Sequence, residues 1–187
     1  CEVVLIPTED RTTAGVSSHV GCSITCSFCA TGFLKRERNL TAAEIYDQVV
    51  LINQQSNESI GRNLSNIVFM GMGEPLLNYS NVLGAIEKIT SEEGLNMSAK
   101  RITVSTAGIA KMIKKLGDDE VKFNLAVSLH AADDAKRDMI MPINEQNNIE
   151  AIIDALKHFQ SKCKGELTFE YILLDGVNDT IDDAKKL

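Results

Sequence analysis

An α/β fold, with a parallel sheet and its crossovers packed outside it, is predicted by three features of the sequence. From about residue 40 onward, apolar stripes of helical period alternate with short apolar or β-branched runs. Strands that alternate with helices at this spacing pair in parallel. No low-complexity stretch, long linker or block of charge interrupts the pattern. Such a sheet is either doubly wound or rolled into a barrel, and the alternation alone leaves both open.

The elements follow in order. Thr41-Ala-Ala-Glu44 reads as a capping box, and behind it Ile45, Val49 and Ile52 share one helical face. Asn53 to Asn63 is polar and reads as a loop-like insert. Leu64 to Met70 is a compact apolar run, expected as a buried strand. Val82, Leu83, Ile86 and Ile89 form the next helical stripe, with Gly94 suited to its end. Arg101 to Thr106 is β-branched and reads as a strand. Ile109, Met112, Ile113 and Leu116 give another helix, with Gly117 at the position just past its end. Phe123 to Leu129 reads as a strand, Ile149 to Phe159 as a long helix, and Leu167 to Leu174 as a further strand. The chain opens on Cys1 rather than Met and stops inside an apparent helix, Thr180 to Leu187, so it is expected to be an excised portion of a longer protein.

At 187 residues, 44% hydrophobic and 24% charged, the chain can form one domain with a sizeable core. That composition excludes a disordered tail, a collagen-like repeat and a disulfide-dense miniprotein. No apolar stretch approaches the roughly 18–20 residues of a membrane-spanning helix, and no signal-peptide pattern opens the chain. The net charge of −7 weighs against a free-standing nucleic-acid binder, because phosphate neutralisation needs clustered cations.

Three of the five cysteines crowd into Cys22-x3-Cys26-x2-Cys29. Thiolates this close repel one another unless a cation holds them, so a metal centre is the expectation. Three thiolates can bind three irons of a 4Fe–4S cluster and leave the fourth open to a substrate or cofactor. The competing arrangement is a closed zinc site that adds His19, three residues before Cys22. Cys1 and Cys163 stand alone, and Cys163, in a Lys-flanked helix end, reads as a bystander.

Around the cysteines the pattern narrows. Val16-Ser-Ser-His-Val-Gly-Cys22, Phe28-Cys-Ala-Thr-Gly32, Arg38-Asn-Leu40, Met70-Gly-Met-Gly-Glu-Pro-Leu-Leu-Asn78, Ser128-Leu-His-Ala131 and Pro142-Ile-Asn144 occur in that order. Together they resemble the RlmN/Cfr family of radical S-adenosylmethionine (SAM) RNA methyltransferases, in particular its RlmN type, over essentially the whole chain. The resemblance implies a partial (β/α) TIM-like barrel lacking its C-terminal part, with residues 1–187 as the radical SAM core and the accessory N-terminal domain and C-terminal segment outside it. It implies that Cys22, Cys26 and Cys29 hold a 4Fe–4S cluster and that SAM chelates the open iron. Gly73, Glu74, Ser105, Ser128, Leu129 and His130 would complete the SAM contacts. All lie at or beyond C-terminal ends of expected strands, the edge where α/β sheets and barrels build sites. Taken singly, Gly73 could make a turn, Glu74 or Ser105 could serve a helix N-terminus, and His130 could be a satisfied polar residue.

The implied activity is methylation of the C2 carbon of adenine in 23S rRNA and in some tRNAs. That carbon is electron-poor and no nucleophile, so transfer of a methyl cation is implausible and one-electron chemistry is required. In the family a Cys near the C-terminus carries the methyl group, which lies beyond residue 187 here, so this piece alone is not expected to methylate RNA. Glu2 matches the Glu proposed to remove the C2 proton, although alone it would be an ordinary strand-edge carboxylate. The family's resolving Cys is replaced by Gly15. That departure leaves room for a paralogue that uses the radical on another substrate. The resemblance further implies an electron donor such as flavodoxin, a cytoplasmic monomer without membrane attachment, and RNA docking through flanking segments.

Overall fold

The computed structural model describes residues 2–187; Cys1 lies outside the described residues. Eight strands run in chain order: β1 (Val4–Pro7), β2 (Thr12–Gly15), β3 (His19–Val20), β4 (Arg38–Asn39), β5 (Asn66–Phe69), β6 (Ile102–Thr106), β7 (Asn124–Ser128) and β8 (Leu167–Glu170). The α-helices are α1 (Ala42–Ile60), α2 (Tyr79–Thr90), α3 (Ala110–Asp118), α4 (Asp134–Ile140), α5 (Ile149–Lys162) and α6 (Ile181–Lys186). β3 and β4 form a small separate sheet; the other six strands make one sheet in the order β1-β2-β5-β6-β7-β8. Within the six-stranded sheet every pairing from β2 onward is parallel, with Gly15 beside Val68, Phe69 beside Val104, Thr106 beside Val127 and Ser128 beside Glu170.

Each new parallel strand is added on the same side of the last, so the sheet is singly wound. Right-handed crossovers then put α1, α2, α3 and α5 on one face. This order selects the barrel-type arrangement over the doubly wound one. The core fills the space between sheet and helices, with Ile45, Val49, Ile67, Val104, Ile113, Leu125, Ile152 and Phe159 all buried. The opposite, concave face is left for a site at the C-terminal strand ends.

Several elements depart from the sequence expectation. Asn53 to Ile60 is not a loop: it continues α1, whose buried stripe runs Ile45, Val49, Ile52, Ser56. The polar side chains there close the turn into β5, Asn53 Oδ1 accepting from Leu64 N–H (2.8 Å) and Ser56 donating to the Arg62 carbonyl (2.6 Å). Gly94 lies beyond α2, which ends at Thr90, and Gly117 sits inside α3 rather than past its end. The last strand stops at Glu170, four residues short of Leu174, because Asn178 recruits the next segment: it accepts from Leu174 N–H and donates to the carbonyls of Ile172 and His130. The β1–β2 hairpin, antiparallel at the sheet edge, and the seven-residue α4 had no predicted counterpart. The capping box at Thr41 and Glu44 forms as expected.

Candidate active site

The loops that leave the C-terminal ends of β2, β5, β6 and β7, with the end of β8, line a cavity of about 290 Å³. Its lining includes Cys22, Cys26, Cys29, Gly73, Glu74, Ser105, Ser128 and His130, which the sequence had singled out from separate segments. Leu129 lies between two of them but is buried outside the lining. Glu2 also stands outside the lining, with its side chain exposed. It nevertheless belongs to the same edge, because Ser17 Oγ donates to its carbonyl (2.6 Å) and accepts from Met72 N–H (2.9 Å) in the glycine-rich loop.

The cysteine loop is docked on α4, where Ser27 N–H donates to the Ile140 carbonyl (3.0 Å), and it turns back through Cys29 N–H to the Cys26 carbonyl (3.2 Å). Burial, then the charges of Cys29 and Cys22, push the Cys26 thiol up to about 12. Cys22 is likewise raised, first by burial. These thiols become thiolates together only against a bound cation. Among the described residues no three His, Cys, Asp or Glu side chains converge as ligands of a single ion. An iron cube takes each thiolate on a different iron, and three thiols spaced around one cavity fit that demand. His19, the fourth ligand of the zinc alternative, lies outside the lining. It is buried beneath Gly73 with Nδ1 on Ser18 Oγ (2.8 Å), and its Nε2 has no hydrogen-bond partner among the described residues.

Gly73 adopts φ +94°, and a Cβ there would stand 2.2 Å from His19 Nδ1, so backbone alone faces the cavity at this point. Glu74, 4% exposed, spans two strand ends: Oε1 accepts from Leu76 N–H (3.0 Å) and Oε2 from Ala107 N–H (2.6 Å). Burial outweighs these donors and pushes its carboxyl up to about 7. His130, at φ +56°, accepts from Ile172 N–H at Nδ1 (3.1 Å), which leaves the proton on Nε2. Burial, then the charge of Arg137, holds it neutral with a value lowered to about 4. Phe28 packs edge-on against its ring at 4.7 Å between centroids.

Three contributors were missed in the sequence. Glu170 lines the cavity from the end of β8, but the overlong predicted strand had placed it mid-strand. Met141 adds a buried apolar wall. Arg137, 0% exposed, donates from Nε to the Leu129 carbonyl (3.0 Å) and from one terminal nitrogen to those of Ala107 (2.7 Å) and Ser128 (3.1 Å). Its other terminal nitrogen donates to Asn144 Oδ1 (2.5 Å). One guanidinium thus fixes the loops after β6 and β7. The nearby Pro142-Ile-Asn144 run was the only sequence signal pointing at this network.

A sequence profile described as the Radical SAM superfamily matches residues 16–187, and the chain belongs to that superfamily. Within it, the curated relatives that the chain matches are RlmN proteins. A probable dual-specificity RNA methyltransferase RlmN of Cytophaga hutchinsonii is 63% identical over 186 residues, covering 100% of this chain and 51% of the relative. The dual-specificity RNA methyltransferase RlmN of Geobacter sulfurreducens is 48% identical over 186 residues, covering 100% and 50%. The chain thus spans about half the length of the curated relatives it matches. The crystal structure of a radical SAM methyltransferase from Sphaerobacter thermophilus superposes with a TM-score of 0.95 at 44% identity, covering 99% of this chain and 54% of that one. HydG, a maturase of the FeFe-hydrogenase, shares the fold alone, with a TM-score of 0.66 at 14% identity over 93% of this chain and 37% of its own.

Proposed function

We propose that this chain is the catalytic core of an enzyme that methylates the C2 carbon of an RNA adenine, in 23S rRNA and in tRNA, with a 4Fe–4S cluster and SAM. The observation that carries this reading is the convergence of three thiols, Glu74, Ser105, Ser128 and His130 on one cavity. The names of the RlmN relatives support the substrate class. When bound, the cluster and SAM supply one-electron cleavage of a sulfonium bond, the chemistry an electron-poor carbon demands.

The chain's own residues bind and orient. Cys22, Cys26 and Cys29 hold three irons. Gly73 brings bare backbone against the ligand, and Glu74, locked by two N–H donors, offers a carboxylate to the SAM amino group. Ser105, Ser128 and the Nε2 proton of His130 supply hydroxyl and imidazole contacts, with Leu129 positioning the last two through its backbone. Phe28 and Met141 exclude water. Glu2, exposed on the same edge, would take the C2 proton from a substrate arriving from solvent.

RNA docking through flanking segments accords with the net charge of −7, and a low-potential carrier such as flavodoxin supplies the electron. A reducing cytoplasm and a monomer complete the proposal. Anaerobic reconstitution should load iron and sulfide, and dithionite with SAM should then release 5′-deoxyadenosine. Cys26→Ala should abolish both. Unchanged adenine methylation in RNA from a strain deleted for the gene would redirect the chemistry to another substrate, the alternative that Gly15 favours.

A further inference from the structure

The outer side of Cys22 opens on a second cavity, of about 500 Å³, formed with Gly32, Phe33, Leu34, Lys35 and Arg36. Cys22 is the one residue common to this lining and that of the inner cavity. The connection is made in the backbone. Cys22 N–H donates to the Leu34 carbonyl (3.4 Å), and Cys22 bridges Lys35 as an isolated parallel pair. Gly21 allows the approach: at φ +74°, a Cβ on it would stand 2.3 Å from the Lys35 carbonyl oxygen. An exposed segment therefore lies one hydrogen bond from the first cysteine of the triad.

That segment has the composition of a docking surface. Phe33 is 81% exposed and Leu34 49%. Lys35 and Arg36 make no ion pair among the described residues, Arg36 donating instead to Asn39. A bare aromatic beside two unneutralised cations is unusual on a chain of net charge −7. The basic tract is too short to follow a nucleic-acid backbone, since Glu37 comes next and Arg38 is already paired with Glu44 (2.7 Å). It suits a small, transient, charge-steered encounter of the kind redox partners make.

We propose that the Phe33–Arg36 face docks an acidic, low-potential one-electron carrier protein and delivers its electron from the Cys22 side. This rests on the reading of Cys22, Cys26 and Cys29 as cluster ligands. In the transfer the carrier is oxidised by one electron and the cluster reduced by one, with no bond made or broken.

The test mixes the anaerobically reconstituted chain with flavodoxin hydroquinone and follows bleaching of the cluster absorption by stopped flow, with dithionite as a small reductant for comparison. Lys35→Glu with Arg36→Glu should slow reduction by flavodoxin about tenfold or more at low salt, and leave reduction by dithionite and the iron and sulfide content unchanged. Salt should slow the unsubstituted chain steeply and the variant little. Phe33→Ser and Lys35→Gln should each give a smaller loss, and they decide the matter if the double reversal harms loading. Unchanged flavodoxin rates in fully loaded variants overturn the proposal. So does an equal fall with both reductants, or a loss of RNA affinity with flavodoxin reduction intact. If the unsubstituted chain takes up no iron and sulfide, the cluster reading itself fails, a result distinct from all of these.

Discussion

Burial pushes the Glu74 carboxyl up to about 7 from an ordinary 4.5, and the sign of that shift sets a stability profile. Below pH 4.5 the folded and unfolded chains both hold the proton and the group contributes nothing. Between 4.5 and 7 the unfolded chain releases it first, so stability falls as pH rises, by about 3 kcal/mol in all. Glu74→Gln should remove that downward slope from urea titrations of the metal-free chain; an unaltered slope would contradict the burial argument. Two glycines give opposite expectations. Gly73→Ala, strained at positive φ and driven into His19, should lose about 2 kcal/mol or more. Gly15→Cys should fold at no loss, since its Cβ meets only ordinary contacts at Val4 (3.8 and 3.9 Å) and strand glycine is itself unfavourable. Thermal denaturation of both variants checks the pair. At this scale the cysteines were legible from spacing and chemistry. Gly73, Glu74, Ser105, Ser128 and His130 needed the resemblance as well. Arg137 was not legible, because a side chain that serves backbone carbonyls leaves no spacing pattern.

At the scale of elements, α4 is the piece on which the site depends and the one the sequence concealed. Seven residues are too few to show a helical stripe, and its most buried side chain is an arginine. Through Ile140 it holds the cysteine loop, and through Arg137 the ends of two loops. Arg137→Met should therefore lose about 3 kcal/mol, because several buried carbonyls keep no donor. Arg137→Lys should recover only part of that, since an ammonium cannot span the same fork. Chemical denaturation gives the magnitude; a loss under 1 kcal/mol for the methionine variant would show that water or neighbours replace the guanidinium. The polar end of α1 was misread for a related reason: Asn53, Ser56 and Asn57 resemble a loop by composition, while their helical hydrogen bonds and the buried Ser56 keep the stripe going. Strands β5, β6 and β7 were legible to within two residues at either end because β-branched and apolar runs are both their propensity and their burial signal.

For the whole molecule, alternation could announce a parallel sheet but not its winding, since either order demands the same crossover lengths. Winding is fixed by which neighbour each strand finds, and here β2, β5, β6, β7 and β8 follow one another in chain order across the sheet. One consequence is that all the C-terminal loops face a common cavity, so any ligand there touches segments as far apart in sequence as Cys22 and Glu170. A ligand that bridges such distant segments binds only the folded chain, and mass action then stabilises the entire fold rather than one loop. SAM added at a hundred times its dissociation constant should contribute about 2.7 kcal/mol. For a domain of this size that corresponds to a rise in Tm of about 5–10 °C. On the proposed reading the rise should require the loaded cluster, because an open iron would anchor the amino and carboxylate groups. Cys26→Ala should accordingly keep a cooperative unfolding transition and lose the SAM-dependent shift. Anaerobic calorimetry distinguishes the outcomes: an equal shift in the variant would mean that SAM is held by Gly73, Glu74 and the serines alone, and that the three thiols serve some other end.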